Sequence, residues 1–302
     1  MDKWGDIPWR KLEKVVYKLQ KRIYRASQRG DVKAVRRLQK LLVKSWSAKA
    51  LAVRRVTQDN QGKKTAGVDG VKSLSPIARM KLVNKLKLGT KVKPTRRVWI
   101  PKPNGEERPL GIPTMYDRAL QALVKLALEP EWEAVFEPNS YGFRPGRSAH
   151  DAIGAIFNSI VRKPKFVLDA DIAKCFDRIN HKRLLEKLDT FPTFRRQIRA
   201  WLNAGFMDGK ELFPTSEGTP QGGVISPLLA NIALHGMENE IKAIAYTFDM
   251  KRPSGTQLSR SVKQTSVNII RYADDFVILH ENIAVVHRCK RVISDWLADM
   301  GL

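Results

Sequence analysis

From Trp9 to about Gln28, apolar residues recur at Leu12, Val16, Leu19 and Ile23 with basic residues on the other faces, a spacing that predicts an amphipathic helix. Gly30-Asp31 interrupts the pattern, and Asp31 can cap a second helix carrying Val35, Leu38, Leu42 and Trp46. Together they read as a basic helical hairpin. Residues 57–75 are rich in Gly, Asn, Asp and Lys and predict a loop. Arg96–Ile100 alternates as a strand, Pro103-Asn104-Gly105 turns, and Arg108–Ile112 returns, a β-hairpin with basic residues on both arms. Residues 115–136 predict a helix with Met115, Ala119, Leu123, Leu126 and Leu128 inward and Arg118 and Lys125 outward.

A polar loop at 137–147 and a short helix over 149–161 follow. Phe166-Val167-Leu168 reads as a buried strand running into Asp169-Ala170-Asp171. Residues 181–204 predict one helix, Glu211–Thr215 a strand, and GTPQGG at 218–223 a glycine-rich loop ahead of a helix from about Ser226. Residues 248–265 read as an irregular insertion. Val267–Arg271 and Phe276–Leu279 are strands flanking Tyr272-Ala273-Asp274-Asp275, and a helix over 283–300 closes the chain. No internal repeat is visible.

Composition narrows the class. At 302 residues and 43% hydrophobic content the chain can bury one large core or two smaller ones. No run approaches ~18 consecutive apolar residues, so no membrane partner is expected, and the N-terminus lacks the apolar stretch of a secretory signal. Cys175 and Cys289 cannot build a disulfide framework, and no Cys/His cluster suggests zinc, which fits a reducing cytoplasm. Charge changes the picture most. The formal net charge of +25 implies a polyanionic partner, nucleic acid before membrane. Residues 1–60 hold 17 Lys and Arg against five Asp and Glu, so nearly half the surplus lies in a fifth of the chain.

Candidate chemistry sits on the acidic residues. A hairpin tip at Tyr272–Asp275 would expose two adjacent carboxylates on a rigid base. Like charges at ~4 Å repel by about 4 kcal/mol at an effective dielectric of ~20. A divalent cation removes that penalty, and oxygen ligands favour Mg²⁺; a turn made polar for solubility is the plainer alternative. Asp169 and Asp171 end an apolar strand and, two apart, point the same way. A strand-end acid beside a hairpin-tip acid pair is the arrangement two-metal phosphoryl transfer requires. Arg97, Lys102 and Arg108 could reach a triphosphate. The glycines of GTPQGG would let backbone approach a nucleotide, and Gln221 could hold it.

In order, RRVWIPKPNGEERPLGIP, NSYGFRPGRSAHDAI, DADIAKCFD, GTPQGGVISPLLANI and YADD resemble the reverse transcriptases of bacterial group II introns. The likeness covers nearly the whole chain, including WSAKALAVRRVT and TAGVDG in the N-terminal part. It implies an α+β fold: right-hand polymerase fingers and palm, with a small antiparallel palm sheet packed by helices and a basic helical N-terminal extension. The implied division is 1–75 for the extension and loop, 76–165 for fingers and 166–302 for an incomplete palm, the thumb lying outside these residues. Asp171, Asp274 and Asp275 match the family's catalytic triad, with Asp171, Asp274 and the Ile172 carbonyl as Mg²⁺ ligands and Asp169 structural. Phe176 matches the bulky residue that excludes a ribose 2′-hydroxyl. Lys102 and Arg108 match triphosphate-binding residues, and Gln221 and Gly222 lie beside the incoming nucleotide. Tyr141, Gly142, Phe143 and Arg144 match a template-contacting stretch.

The family also acts as a splicing maturase on its own intron RNA and copies that RNA into DNA at a new site. The N-terminal hairpin, through Arg22, Arg25, Arg36 and Arg37, would then anchor intron RNA, whose helices are recognised through phosphates and 2′-hydroxyls. The implied partners are group II intron RNA, an RNA template with a DNA primer or target DNA, and deoxynucleoside triphosphates, in a bacterial cytoplasmic ribonucleoprotein. The rival reading is a non-catalytic intron RNA-binding splicing factor; a carboxylate-metal nuclease is weaker, because it binds no triphosphate. His181 and His235 read as core or helix-surface histidines rather than bases, and Cys175, Trp46 and Trp132 as packing residues.

Overall fold

The computed structural model describes residues 3–102, 105–251 and 254–302. Three helices open the chain: α1 (Trp9–Gln28), α2 (Val32–Lys44) and α3 (Trp46–Arg54). Asp31 caps α2 by accepting the Ala34 N–H at 2.9 Å, as its position predicts. Trp46 begins a new helix instead of ending the second, because Ser45 is extended. The apolar stripe of α1 buries Leu12, Val16 and Ile23 against α2 and against α5 (Met115–Glu133). Helix α4 (Pro76–Lys85) starts on a Ser75 cap and packs on α3.

Strands β1 (Thr95–Pro101) and β2 (Glu107–Ile112) pair antiparallel from Arg96↔Ile112 to Pro101↔Glu107. The predicted turn falls at Pro103 and Asn104, outside the described residues; Gly105 has φ +83°. After α5 come α6 (Ala149–Ile160), capped by a Ser148–Asp151 box, then β3 (Phe166–Asp171) and the short α7 (Cys175–Arg178). The single helix expected over 181–204 is two, α8 (His181–Leu188) and α9 (Pro192–Leu202). Asp189 adopts φ +33° and Pro192 opens the next helix, where its missing N–H costs nothing.

A small hairpin of β4 (Phe206–Asp208) and β5 (Glu211–Phe213) precedes α10 (Ser226–Leu234), α11 (Met237–Ala245) and α12 (Arg260–Ser266). Helix α12 therefore orders the end of the insertion expected to be irregular. Strands β6 (Asn268–Tyr272) and β7 (Asp275–His280) and helix α13 (Ile283–Asp299) complete the chain. The fold is α+β, with two small sheets of order β2-β1-β4-β5 and β3-β7-β6 packed by helices. Strand β4 joins β1 in parallel, so the first sheet combines residues from either side of position 165. The main core likewise runs continuously from Trp4 to Met300. The three sequence divisions are thus segments around one core. Among the described residues no helix is long and apolar enough to cross a membrane.

Two burial expectations change. Phe166 and Val167 are 48% and 55% exposed, because β3 is an edge strand and α6 covers the sheet at its far edge, over β6. Arg118 points inward: its guanidinium donates to the carbonyls of Gly62 at 2.8 Å and Thr65 at 2.6 Å, pinning the loop before α4 to α5.

Candidate active site

The three-stranded sheet sets the acids. Strand β7 pairs with β6 on one side (Tyr272↔Asp275) and with β3 on the other (Asp171↔Asp275). Asp171 and Asp275 are therefore direct cross-strand partners, a like-charge pairing that destabilises an isolated sheet. Asp169, two residues before Asp171, shares its face. The hairpin tip turns through Ala273 at φ +59°, and the Ile172 N–H donates to the Asp274 carbonyl at 3.2 Å. Asp171, Ile172 and Asp274 line one open cleft of about 790 Å³, together with Lys102, Arg108, Phe176, Asp177 and Gln221.

Electrostatics record the crowding. Burial, and then the charges of Asp171, Asp274 and Asp169, raise the Asp275 carboxyl above its ordinary value. The Cys175 thiol, buried beside the cleft, is pushed up to about 12 by burial and by the charge of Asp274, so it packs as a neutral thiol. Among the described residues no three His, Cys, Asp or Glu side chains form a closed metal cage. Magnesium does not need one; it is usually held by one or two carboxylates plus substrate phosphates and water. Two carboxylates on one cleft wall, each adding to unrelieved negative charge, fit that ion. The Ile172 carbonyl accepts the Cys175 N–H at 3.2 Å and keeps a second lone pair.

The tip rests on a buried polar scaffold. A Cβ at Gly142 would lie 2.2 Å from the Ala273 nitrogen, so only glycine lets these two backbones meet. Arg271, fully buried behind the tip, donates to the Ala273 carbonyl at 2.8 Å, to Asn231 at 3.1 Å and to Ser140 at 2.7 Å. Asn231 in turn donates to the Gly142 carbonyl at 2.8 Å. Burial lowers the Arg271 guanidinium to about 10, still charged at neutral pH. Sequence reasoning misses both Arg271 and Asn231; the available signal is an arginine inside the apolar strand NIIRY.

The rest of the lining mixes charge, Lys102, Arg108 and Lys174 with Glu106, Glu107 and Asp177. Lys102 pairs with Glu106 at 2.8 Å. The Arg108 Nε donates to the Gln221 Oε1 at 2.8 Å, and the Gln221 Nε2 donates to Asp177 at 3.3 Å. Burial holds the Asp177 carboxyl above the usual range, against the opposing pull of Arg97 and Gln221. Asp177 thus fixes the amide that fixes Arg108, a role the sequence does not announce. The glycines of the 218–223 loop serve chain packing rather than ligand approach: a Cβ at Gly218 would meet the Asp177 carbonyl at 2.5 Å, and one at Gly222 the Gly111 carbonyl at 3.0 Å. Gly222 is accordingly not among the residues lining the cleft. Phe176 is buried on the cleft wall with its ring edge-on to Phe143 at 6.0 Å.

Of the proposed template stretch, Phe143 is 48% exposed at φ +60°, its ring meeting that of Phe176 edge-on. Tyr141 and Arg144 are corrections. Tyr141 is 6% exposed and packs with Ala152, Ile270 and Leu279. Arg144 is 8% exposed; its Nε and Nη2 bind the Glu133 carboxylate and its Nη1 the carbonyls of Glu137 and Ser140. Four of its five N–H donors are thus engaged within the fold. In the N-terminal helices Arg22, Arg25 and Arg37 are exposed, whereas Arg36 binds the carbonyl and carboxylate of Asp189. His181, buried, bridges Asn203 and the Gly218 carbonyl, and the half-buried His235 packs against Trp132 and Phe136; neither lines the cleft.

Residues 100–302 match the family described as reverse transcriptase (RNA-dependent DNA polymerase), and residues 4–86 match the N-terminal domain of reverse transcriptase. Protein YkfC of Escherichia coli K12 is 32% identical over 292 residues, covering 86% of this chain and 76% of that protein. The group II intron-encoded protein LtrA of Lactococcus lactis is 38% identical over 201 residues, 64% of this chain and 33% of LtrA. Maturase-like protein 1 of Euglena gracilis is 32% identical over 249 residues, 80% of this chain and 53% of that protein. The chain thus spans a third to three quarters of the lengths of these relatives. A Candida albicans telomerase structure shares the fold at a TM-score of 0.50 and 13% identity, covering 70% of this chain and 40% of that one.

Proposed function

The chain belongs to the reverse transcriptase family, among relatives that include group II intron-encoded proteins and maturases, and from that premise we propose that it is the RNA-directed DNA polymerase of a group II intron, a maturase that also binds its intron RNA and acts in retrohoming. One observation carries the catalytic half: Asp171, Ile172 and Asp274 share a single cleft with Lys102, Arg108, Phe176 and Gln221. Carboxylates that can hold a cation and basic side chains that can meet phosphate, gathered in one cleft, suit a deoxynucleoside triphosphate and a primer end. In this reading residues 76–165 act as fingers and 166–302 as palm.

Asp171, Asp274 and the Ile172 carbonyl would hold Mg²⁺, which when bound would supply the chemistry of two-metal phosphoryl transfer, lowering the pKa of a 3′-hydroxyl and stabilising the leaving pyrophosphate. Asp275 adds negative charge beside that centre and orients the tip. Lys102 and Arg108 bind the triphosphate, and Arg108 is presented by Gln221 and Asp177. Phe176, on the cleft lining, excludes a ribose 2′-hydroxyl in this reading and so selects deoxynucleotides. Phe143 stacks on a template base. The exposed arginines Arg22, Arg25 and Arg37 on α1 and α2 lie on the RNA-anchoring surface of a ribonucleoprotein in the bacterial cytoplasm.

The test is primer extension on an RNA template with Mg²⁺ and deoxynucleotides, parent beside Asp274→Asn. Extension by the parent alone supports the polymerase. No extension by the parent, with tight salt-sensitive binding to structured RNA, would replace it with a non-catalytic splicing factor, the reading favoured by the basic surplus of residues 1–60.

A further inference from the structure

A second cavity, of about 340 Å³, opens between α2, α3, α5, the segment after α4 and the start of α9. Its floor is apolar: Val43, Leu86, Leu123 and Phe191 are buried and Leu88 packs onto the same core. Its rim is cationic, with Lys40, Lys44, Lys49 and Lys87 and no acidic residue in the lining. Among the described residues none of these four ammonium groups forms an ion pair; Lys40 instead sits 5.1 Å from the centre of the Phe191 ring. The cavity shares no residue with the catalytic cleft.

Apolar floor and unneutralised lysine rim ask for a ligand that is flat and apolar at one end and polyanionic around it. A fatty or purely aromatic ligand would leave the lysines uncompensated, and a bare phosphate would leave the floor empty. The volume lies at the small end of ligand pockets, enough for one planar group and not a peptide. Lysine serves as a compact point charge for phosphate, and unpaired RNA bases are recognised by insertion against apolar and aromatic side chains.

We propose that this lysine-rimmed pocket receives one unpaired nucleobase of bound RNA, with the flanking phosphates lying on Lys40, Lys44, Lys49 and Lys87. The inference rests on the reading of the chain as an RNA-binding protein, and supplies that reading with a point of base recognition separate from the template path.

The probe is a short fluorescent oligoadenylate, followed by anisotropy across a salt series, and the same strand carrying 8-azidoadenosine for photo-cross-linking. On the parent chain, cross-links fall within residues 40–49, 86–88 or 191–193. Thr193→Trp, which fills the pocket from its half-buried rim, weakens oligoadenylate binding about tenfold with the salt slope unchanged. Changing Lys44, Lys49 and Lys87 together to Gln lowers the slope by about two, at ~0.7 for each single-strand phosphate no longer neutralised. Salt-sensitive binding by the parent with cross-links elsewhere overturns the pocket and leaves RNA binding standing. No oligoadenylate or structured-RNA binding at any salt overturns both. The cross-link map is read on unaltered protein, so misfolding of a variant cannot decide the result.

Discussion

Gly142→Ala tests whether the acid-bearing tip is held by close backbone approach. The added methyl would lie 2.2 Å from the Ala273 nitrogen and 2.8 Å from its Cα, with backbone on both sides and no flexible side chain to yield. Ordinary contact begins near 3.4 Å, so the tip must retreat by about 1 Å, a misplacement that costs about 100-fold when it reaches a catalytic group. Overpacking of this kind costs about 1–3 kcal/mol in stability, a fall of several degrees in Tm for a chain of this size. Gly154→Ala is the control: it lies in α6 with nothing within 4 Å of an added Cβ. Removing a mid-helix glycine should stabilise by about 0.5–1 kcal/mol and leave extension unchanged. Single-turnover extension and thermal unfolding on both variants read the outcome. Gly142→Ala retaining activity within about twofold, at a Tm matching the parent, would refute the claim that this approach positions Asp274.

Lys187 gives a pH prediction. Burial lowers its ammonium from 10.5 to about 8 while it donates to the Ala233 carbonyl at 2.7 Å and lies over Trp296. Between pH 8 and 10.5 the unfolded chain binds the proton more tightly, so stability rises with pH by up to about 1 kcal/mol per unit. Urea midpoints of parent against Lys187→Met should diverge across that window, and parallel curves would sink the assignment. Replacing Arg22, Arg25 and Arg37 with Gln should lower the salt slope of duplex RNA binding by about one for every phosphate those side chains neutralise. Arg36→Gln should instead destabilise the fold by about 0.5 kcal/mol by removing its bonds to Asp189, detectable in urea unfolding. Phe176→Val should raise ribonucleotide incorporation at least tenfold relative to deoxynucleotide; an unchanged ratio would remove its gating role.

Much of the fold is legible in the sequence because the segments carry their own periodicity. The α1 stripe, the β1–β2 alternation and the apolar runs around Tyr272–Asp275 each predict an element that is present. Differences fall where tertiary context overrides local pattern. The run from 181 to 204 keeps helical spacing across Asp189 and Pro192, and only the proline marks the break. Phe166 and Val167 look like core in sequence, but exposure is decided by which strand lies at the sheet edge, a property of pairing. Arg118 reads as outward-facing because charge usually is, and Arg144 as template-contacting through the family resemblance; each instead satisfies carbonyls within the fold. For Arg118 those carbonyls belong to a loop more than fifty residues away, which no local pattern reports.

The same reasoning explains why the motif residues divide as they do. In YGFR and GTPQGG the glycines read as facing ligand, yet Gly142, Gly218 and Gly222 face other backbone, at Ala273, Asp177 and Gly111. What faces the cleft from the second loop is the side chain of Gln221, with Asp177 reached through it. The glycines act as close-approach joints that tie the 140s to the acid hairpin, and the 218–223 loop to both α7 and β2. Those joints bring Arg108, on a strand more than a hundred residues before Gln221, into register with an amide it could not otherwise reach. Displacing either joint should therefore disturb the acids and the basic side chains of the cleft alike, even though none of the three glycines lines it. A site assembled this way depends on backbone approach as much as on its ionisable groups. Removing a carboxylate takes away one side chain; adding a methyl at a joint shifts the backbone that carries several.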